Sequence, residues 1–430
     1  MAWPAILSMS ISALYNIVDS IFVGMISEEA LTAVSLANPI QMVIISFAVG
    51  SGVGVNSLIS RRLGAHRQAE ADQAASTGLW IALFNGILFL ILGLIFTKPF
   101  VHMYYEDGFI AENAISYMSI CLCLSVFICF QCVIEKTLQA TGNMKSPMFI
   151  SLSGAITNII FDPLLIFGIG PFPELGVAGA AIATVFGQFV ACTIAFIILL
   201  KGEHIVTITI KGFKLDWGIV KDIYGVGFPS ILMQSIGSVM LIGYNAILAA
   251  FSETAVAVLG VYFKLQSFIF MPVFGLNQGL MPLMGYNYGA ANKKRLMSCY
   301  KHGLVLAYIF MGIGFAIFQI FPEYLLKLFS AGPEMLEVGI PALRIISICF
   351  WPAAFGIITS TTFQASGHGF YSLFSSLIRQ LVGILPLAYI LSRIGGVALS
   401  WAAFPLAEIL GTCYIIIVFR HLYKTEISKL

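Results

Sequence analysis

Charge is what this sequence has least of. Only 10% of its 430 residues are Asp, Glu, Lys or Arg, and 59% are hydrophobic; soluble domains carry roughly a quarter charged residues. A chain this poor in charge cannot cover a water-facing surface, which excludes a soluble globular enzyme and points to a polytopic membrane protein. Histidine is nearly as scarce. All six (His66, His102, His204, His302, His368 and His421) fall in loops or at the ends of apolar runs, so the materials for a buried metal centre or a histidine relay are missing. Among eight cysteines, Cys129 and Cys132 make a CxxC, but nothing near them supplies further ligands, and they read as small apolar residues of a helix. No acid cluster or nucleophile with its base gathers near one interface. The chain is therefore read as not an enzyme and in need of no cofactor. The formal net charge is only +2, which gives no reason to expect nucleic acid as a partner.

Long apolar runs are what the sequence has in abundance. Twelve stretches of about 20 residues or more qualify as spans, near 2–24, 34–59, 78–101, 114–138, 147–169, 176–200, 224–249, 257–283, 301–322, 339–362, 370–392 and 396–419. Helices follow, because an open strand in lipid leaves backbone groups unpaired. The absence of a pore loop or charged ring between them disfavours a channel. Sixteen Lys and Arg residues fall at one set of loops plus the C-terminal tail, among them Arg61, Arg62, Lys145, Lys211, Lys294 and Arg420. Only Lys98, Lys327 and Arg393 fall on the other side. By the positive-inside rule both termini face the cytoplasm.

The chain also repeats itself. A shift of 225 residues lays Pro4 on Pro229, Glu28 on Glu253, Gly50 on Gly275, Gly54 on Gly279, and Gly64-Ala65 on Gly289-Ala290. It also lays Leu138-Gln139-Ala140-Thr141-Gly142 on Phe363-Gln364-Ala365-Ser366-Gly367, and beyond the fifth span the offset falls to about 220. This predicts an N-lobe over 1–200, a polar linker over 201–222 and a C-lobe over 223–430. Repeats of like topology are a transporter signature, with the substrate site expected where the halves meet. Pro4 has three residues before it whereas Pro229 has a long lead-in, so a short cytoplasmic helix upstream of Met1 is expected. A longer open reading frame would reveal it.

Seven charged residues fall within the spans: Asp19, Glu135, Asp162, Lys264, Arg344, Arg379 and Glu408. Each is costly in hydrocarbon. Asp19 lies about 8 Å and Asp162 about 12 Å from the outer ends of their spans, at 1.5 Å per residue, so the two share the outer half of the first lobe. Asn158 is four residues before Asp162 on the same helix face, and Asn16 is three before Asp19. Carboxylates with amide oxygens nearby suit a small hard cation such as Na⁺. Alternatively, two like charges desolvated together can share a proton. The repeat supplies a control: Asp19 meets Tyr244, Asn158 meets Gly383 and Asp162 meets Leu387, so the architecture itself does not need the acids. Glu408 is expected to pair with Lys264 or Arg379, while Glu135 and Lys136 near a span end can pair or snorkel. Tyr244, Lys264, Gln266, Met271, Phe274 and Gln278 are expected to line a substrate cleft, where thioethers and aromatic faces suit varied apolar or cationic molecules. Gly50, Gly52 and Gly54 read as close helix contacts.

Taken together, several pieces resemble the multidrug and toxic compound extrusion (MATE) family. These are Leu14-Tyr-Asn-Ile-Val-Asp-Ser-Ile-Phe-Val-Gly24, Leu138-Gln-Ala-Thr-Gly-Asn-Met-Lys-Ser-Pro147 and Asn158-Ile-Ile-Phe-Asp-Pro-Leu-Leu-Ile-Phe167. Gly176-Val-Ala-Gly-Ala-Ala-Ile-Ala-Thr184, Phe274-Gly-Leu-Asn-Gln-Gly279 and Gly285-Tyr-Asn-Tyr-Gly-Ala-Ala-Asn292 extend the likeness along the whole chain. The resemblance implies an all-α protein of twelve transmembrane helices in two pseudo-symmetric six-helix bundles with a V-shaped cleft. It implies a monomer in a bacterial or archaeal cytoplasmic membrane, exporting structurally varied, often cationic and amphipathic compounds against inward Na⁺ or H⁺. It assigns the coupling cation to Asp19, Asn158, Asp162 and Thr184. Family members that couple through acids of spans 7 and 10 have no counterpart here, since Glu253 is in a loop and Glu337 at a span edge. A lipid-linked oligosaccharide flippase of the same superfamily is the alternative. It would call for a more basic cleft than Lys264 and Arg379 supply.

Overall fold

The computed structural model describes residues 2–202, 205–208, 214–329 and 331–430, with the side chains of Ala2 and residues 12–17 left out; Lys211, His204 and the Asn16 side chain therefore lie outside the described residues. The described chain is all helical. Its first half contains α1 (Ala2–Ile26), α2 (Glu28–Gly64), α3 (Gln68–His102), α4 (Phe109–Cys123), α5 (Val126–Ala140), α6 (Lys145–Ile166) and α7 (Gly176–Lys201). The second contains α8 (Trp217–Ala249), α9 (Glu253–Gly289), α10 (Lys293–Ile320), α11 (Pro322–Lys327), α12 (Pro333–Ser347), α13 (Phe350–Ala365) and α14 (Gly369–Leu377). A π-helical segment, Ile378–Ile384, leads into α15 (Leu385–Ser400), and α16 (Ala403–Thr425) ends the bundle. Among the described residues nine helices are long and apolar enough to cross a membrane, and counting the bent pairs α4–α5 and α12–α13 as one span each brings these to eleven. α1, 25 residues with Asp19 as its only charge, is a further apolar helix of spanning length.

The repeat read from the sequence is written into the backbone. α2 and α9 are both 37 residues long. Each begins behind a serine that caps it: Ser27 Oγ accepts from Ala30 N at 3.0 Å and Ser252 Oγ from Ala255 N at 3.3 Å. Each ends in a turn with a left-handed non-glycine residue, His66 at φ 57° and Ala291 at φ 52°. The α4–α5 and α12–α13 bends are 44° and 45°. Gly142 (φ 87°) answers Gly367 (φ 92°) at the first offset, and Gly176 (φ 53°) answers Gly396 (φ 64°) at the second.

The chain forms two compact units, one of Trp3–Leu63 with Arg67–Ile231, the other of Gly64–His66 with Leu232–Leu430. The division falls inside α8, later than the expected end of the linker at residue 222. The reason is packing: Ile219 and Ile223 are buried with Val55, Leu58, Ile59 and Ala74 in the first unit's core. Glycine makes that approach possible. A Cβ on Gly54 would lie 2.2 Å from the Ile223 carbonyl oxygen, and one on Gly50 would lie 2.9 Å from the Ile231 nitrogen. The linker is tied to the same unit: Thr207 N donates to Asp72 at 2.9 Å, and Arg62 reaches both Glu70 (3.1 Å) and Asp222 (2.9 Å).

The cores differ in kind. The first unit packs small residues (Ala30, Ala33, Ala37, Ala111, Ala114, Ala180) around Tyr117 and Met118. In the second, Tyr244, Tyr262, Phe318, Phe350, Trp401 and Phe404 form a continuous aromatic cluster. Gly54→Ala should cost about 1–3 kcal/mol by overpacking. Gly24→Ala, with nothing within 4 Å of the added Cβ, should leave unfolding in detergent within about 0.5 kcal/mol of wild type. Equal unfolding temperatures for the two variants would contradict this packing.

Candidate cation site

The first unit carries the two acids on α1 and α6. α6 and α7 run close because glycines face each other at their crossing: a Cβ on Gly187 would lie 2.8 Å from the Gly154 carbonyl oxygen and 3.3 Å from Asn158 Cβ. That closeness lets Asn158 reach across. Its Nδ2 donates to Asp162 Oδ1 at 3.1 Å, one turn on, and to Thr184 Oγ1 of α7 at 3.4 Å. Asp162 is 0% and Asn158 3% exposed. Asp19 stands close enough for its charge to act on Asp162. The four residues of the expected coupling site are thus brought to one place.

Three oxygens there are buried and accept no hydrogen bond from the described residues: Asp19 Oδ1, Asn158 Oδ1 and Asp162 Oδ2. Buried acceptors without donors are uncommon and cost of order 1–3 kcal/mol each, more when charged. An all-oxygen set with two carboxylates is the donor chemistry of a small hard cation, or of a shared proton. Aromatic rings pair on the same helices, with Phe161 against Phe186 at 4.8 Å and Phe22 against Phe167 at 6.4 Å. Among the described residues no three His, Cys, Asp or Glu side chains gather as a metal cluster, here or elsewhere.

The structure adds residues that the sequence reading missed. Gln41 of α2 donates from Nε2 to Tyr117 Oη at 3.0 Å and lies 3.6 Å from Cys121 Sγ. Gln41 is a neutral amide inside an apolar run and lacks the spacing to an acid that marked Asn158.

The repeat-related positions of the second unit are filled differently. Tyr244, in register with Asp19, was expected in a substrate cleft. Instead it is 0% exposed, and its hydroxyl donates to the Ser400 carbonyl oxygen at 3.0 Å. Its ring packs on Phe404 at 5.0 Å, and Phe404 stands where the second offset places the partner of Thr184. Gly383, the counterpart of Asn158, lies in the π-helical segment, where a Cβ would meet Ala407 Cβ at 2.7 Å. An aromatic pair and a bare glycine thus replace the polar set.

Other intramembrane charges are also placed. Glu408 pairs with Arg379, not Lys264: Arg379 Nη1 donates to Glu408 Oε1 at 3.0 Å, with Gly411 leaving room for the arginine stem. Lys264 is exposed, its ammonium 5.9 Å from the Phe329 ring centroid. Glu135 was expected in a charge pair. It is instead hydrogen bonded, accepting at Oε1 from Gln131 (3.1 Å) and Ser151 (2.9 Å), and the neighbouring Lys136 donates to Gln139 at 2.9 Å. Phe274 is exposed, and Gln266, Met271 and Gln278 are half-buried.

Arg379→Met leaves Glu408 without its cation and should destabilise the fold by about 2–4 kcal/mol. Arg379→Met/Glu408→Leu should recover most of that loss in denaturant unfolding. A double variant as unstable as the single would contradict the pairing.

The whole chain has relatives. An FAD transporter of Shewanella oneidensis is 29% identical over 92% of this chain and 88% of its own length. A probable multidrug resistance protein, NorM, of Thermotoga maritima is 25% identical over 91% and 84%. Among solved structures, the outward-facing conformation of a multidrug resistance MATE family transporter of the MOP superfamily superposes with a TM-score of 0.93 at 28% identity, covering 100% of this chain and 96% of that one. The MatE family model matches twice, over residues 4–164 and 229–390, about three quarters of the chain in two blocks set at the repeat offset. The protein belongs to the MatE family of membrane transporters.

Proposed function

We propose that the protein is a secondary antiporter that exports varied, often cationic and amphipathic compounds, driven by inward flow of Na⁺ or H⁺ through the first-lobe site. One observation carries this reading: Asp19, Asn158 and Asp162 each hold a buried oxygen without a donor, in a lobe whose repeat twin folds with Tyr244 and Leu387 at the acid positions. Both termini face the cytoplasm in this scheme, and the site loads from outside.

The physical step is neutralisation. Without a cation, Asp19 and Asp162 repel each other in an apolar setting where Coulomb terms are strong. A Na⁺ ion shared by the carboxylates, the Asn158 amide oxygen and the Thr184 hydroxyl removes that repulsion and lets α1 draw toward α6. A proton on one carboxyl does the same and adds an O–H donor for the other. Binding can shift the inward and outward populations only by its differential affinity for them, and a helix that moves when the repulsion is relieved supplies that difference. Gln266, Met271, Phe274 and Gln278 offer amide, thioether and ring contacts to substrate, and Lys264 is free of an acid partner in the contacts described. The multidrug names of several relatives support drug substrates. The relative named as an FAD transporter makes a flavin dinucleotide the second substrate to assay.

Ethidium-like dye efflux from vesicles under separately imposed Na⁺ and pH gradients tests the reading. Wild type should respond to one of the two gradients. Asp19→Asn and Asp162→Asn should lose gradient-driven efflux by at least about a hundredfold, a coupling of roughly 3 kcal/mol, and Thr184→Ala should lose less. Wild-type efflux by Asp19→Asn would overturn the mechanism.

A further inference from the structure

The second unit holds a strongly basic cavity that the transport reading does not use. It has a volume of about 1120 Å³ and lies where the first turns of α10 meet the end of α16. Lys293, Lys294, Lys301, His302, Arg420 and Lys424 line it; none of its lining side chains is acidic, and Leu430 at the end of the tail lines it too. Glu426 of the tail is engaged elsewhere: it accepts from the Tyr288 hydroxyl and pairs with His368 Nε2 at 3.1 Å. Lys293 lies over the Tyr423 ring at 5.3 Å. In contrast, Arg62 and Arg67 at the edge of the first unit are spent on Glu70 and Asp222.

Beyond the cavity the same face of α10 turns apolar. Along α10 one face reads Lys294, Ser298, Lys301, Val305, Tyr308 and Gly312, at helical spacings of three and four. The first three line the basic cavity, and the last three line a second hollow of about 620 Å³. α13 walls both, with Phe355 in the first and Trp351, one turn away, in the second. Trp351 stacks on Tyr308 with centroids 6.0 Å apart, and a Cβ on Gly312 would lie 3.2 Å from the indole. From Lys301 to Gly312 the groove runs about 16 Å at 1.5 Å per residue, most of the length of an acyl chain.

We propose that this groove binds one anionic phospholipid, its phosphate among Lys294, Lys301, Arg420 and Lys424 and one acyl chain along α10 against Trp351. Clustered basic side chains at the membrane surface recognise anionic headgroups. Convergence on one concavity, with an apolar track on the same helix face, distinguishes this place from basic residues scattered along the bilayer edge.

Native mass spectrometry of the purified full-length protein, titrated with phosphatidylglycerol, phosphatidylcholine or inorganic phosphate, tests the proposal. Wild type should retain one phosphatidylglycerol in preference to phosphatidylcholine. Lys301→Gln/Arg420→Gln should weaken phosphatidylglycerol about tenfold or more, while Lys145→Gln/Lys221→Gln, exposed lysines of the first unit, should change it less than about twofold. Gly312→Leu, which fills the apolar track, should weaken the lipid. Unchanged lipid affinity in the cavity variant would overturn the proposal, as would phosphatidylcholine bound equally well. Displacement of the lipid by inorganic phosphate with no effect of Gly312→Leu would make the cavity a site for a free anion, and the lipid proposal would fall.

Discussion

A carboxylate shut away from water needs a donor or a cation, and the first lobe holds two carboxylates that have too few of either. Asp162 receives one hydrogen bond from Asn158, and its second oxygen receives none; Asp19 Oδ1 is likewise without a donor among the described residues. The cost of such groups in an apolar environment is several kcal/mol. The surrounding fold is arranged around that cost: Gly154 and Gly187 bring α6 and α7 together, Asn158 bridges them, and alanine-rich packing encloses the result. In the proposed cycle the missing partner is the coupling ion.

The duplicated architecture shows what the same backbone does without this task. Caps, bends and left-handed turns recur at the two offsets, so the halves solve the same folding problem in the same way. Their interiors diverge. Tyr244 and Phe404 fill with rings the space that Asp19 and Thr184 leave polar, and Arg379 with Glu408 forms a closed ion pair in the second lobe. Buried carboxylate oxygens are left without donors in the first lobe only; the buried groups left without partners in the second among the described residues, Tyr262 Oη, Trp401 Nε1 and Thr412 Oγ1, are neutral. The proposed cation-driven rearrangement is placed in the first lobe on the strength of that contrast.

Much of this could be read from residue order. Apolar runs longer than a bilayer, together with the near-absence of charge, give helices and their number. The repeat shows in Pro4/Pro229 and Gly142/Gly367 because turns and close contacts accept few residue types. Asp19 and Asp162 announce themselves because a charge in hydrocarbon is costly, and the spacing of Asn158 from Asp162 fixes their shared face. What could not be read depends on helix rotation and on which neighbour arrives first. Tyr244 suits a cleft wall or a core equally well by composition, and only its bond to Ser400 and contact with Phe404 place it in the core. Lys264 and Arg379 were both within reach of Glu408 by sequence, and the approach allowed by Gly411 decides for Arg379. Gln41 passed unnoticed because a neutral amide costs too little to stand out.

Cation occupancy of the first lobe is the central claim, and equilibrium binding to the purified protein measures it most directly. Radioactive Na⁺ binding and proton release or uptake would be followed on wild type and on Asp19→Asn/Asp162→Asn, with both shown to be folded. The account predicts one Na⁺, or one titrating proton, per wild-type chain, and its loss in the double variant. Full wild-type stoichiometry in a folded double variant would contradict it.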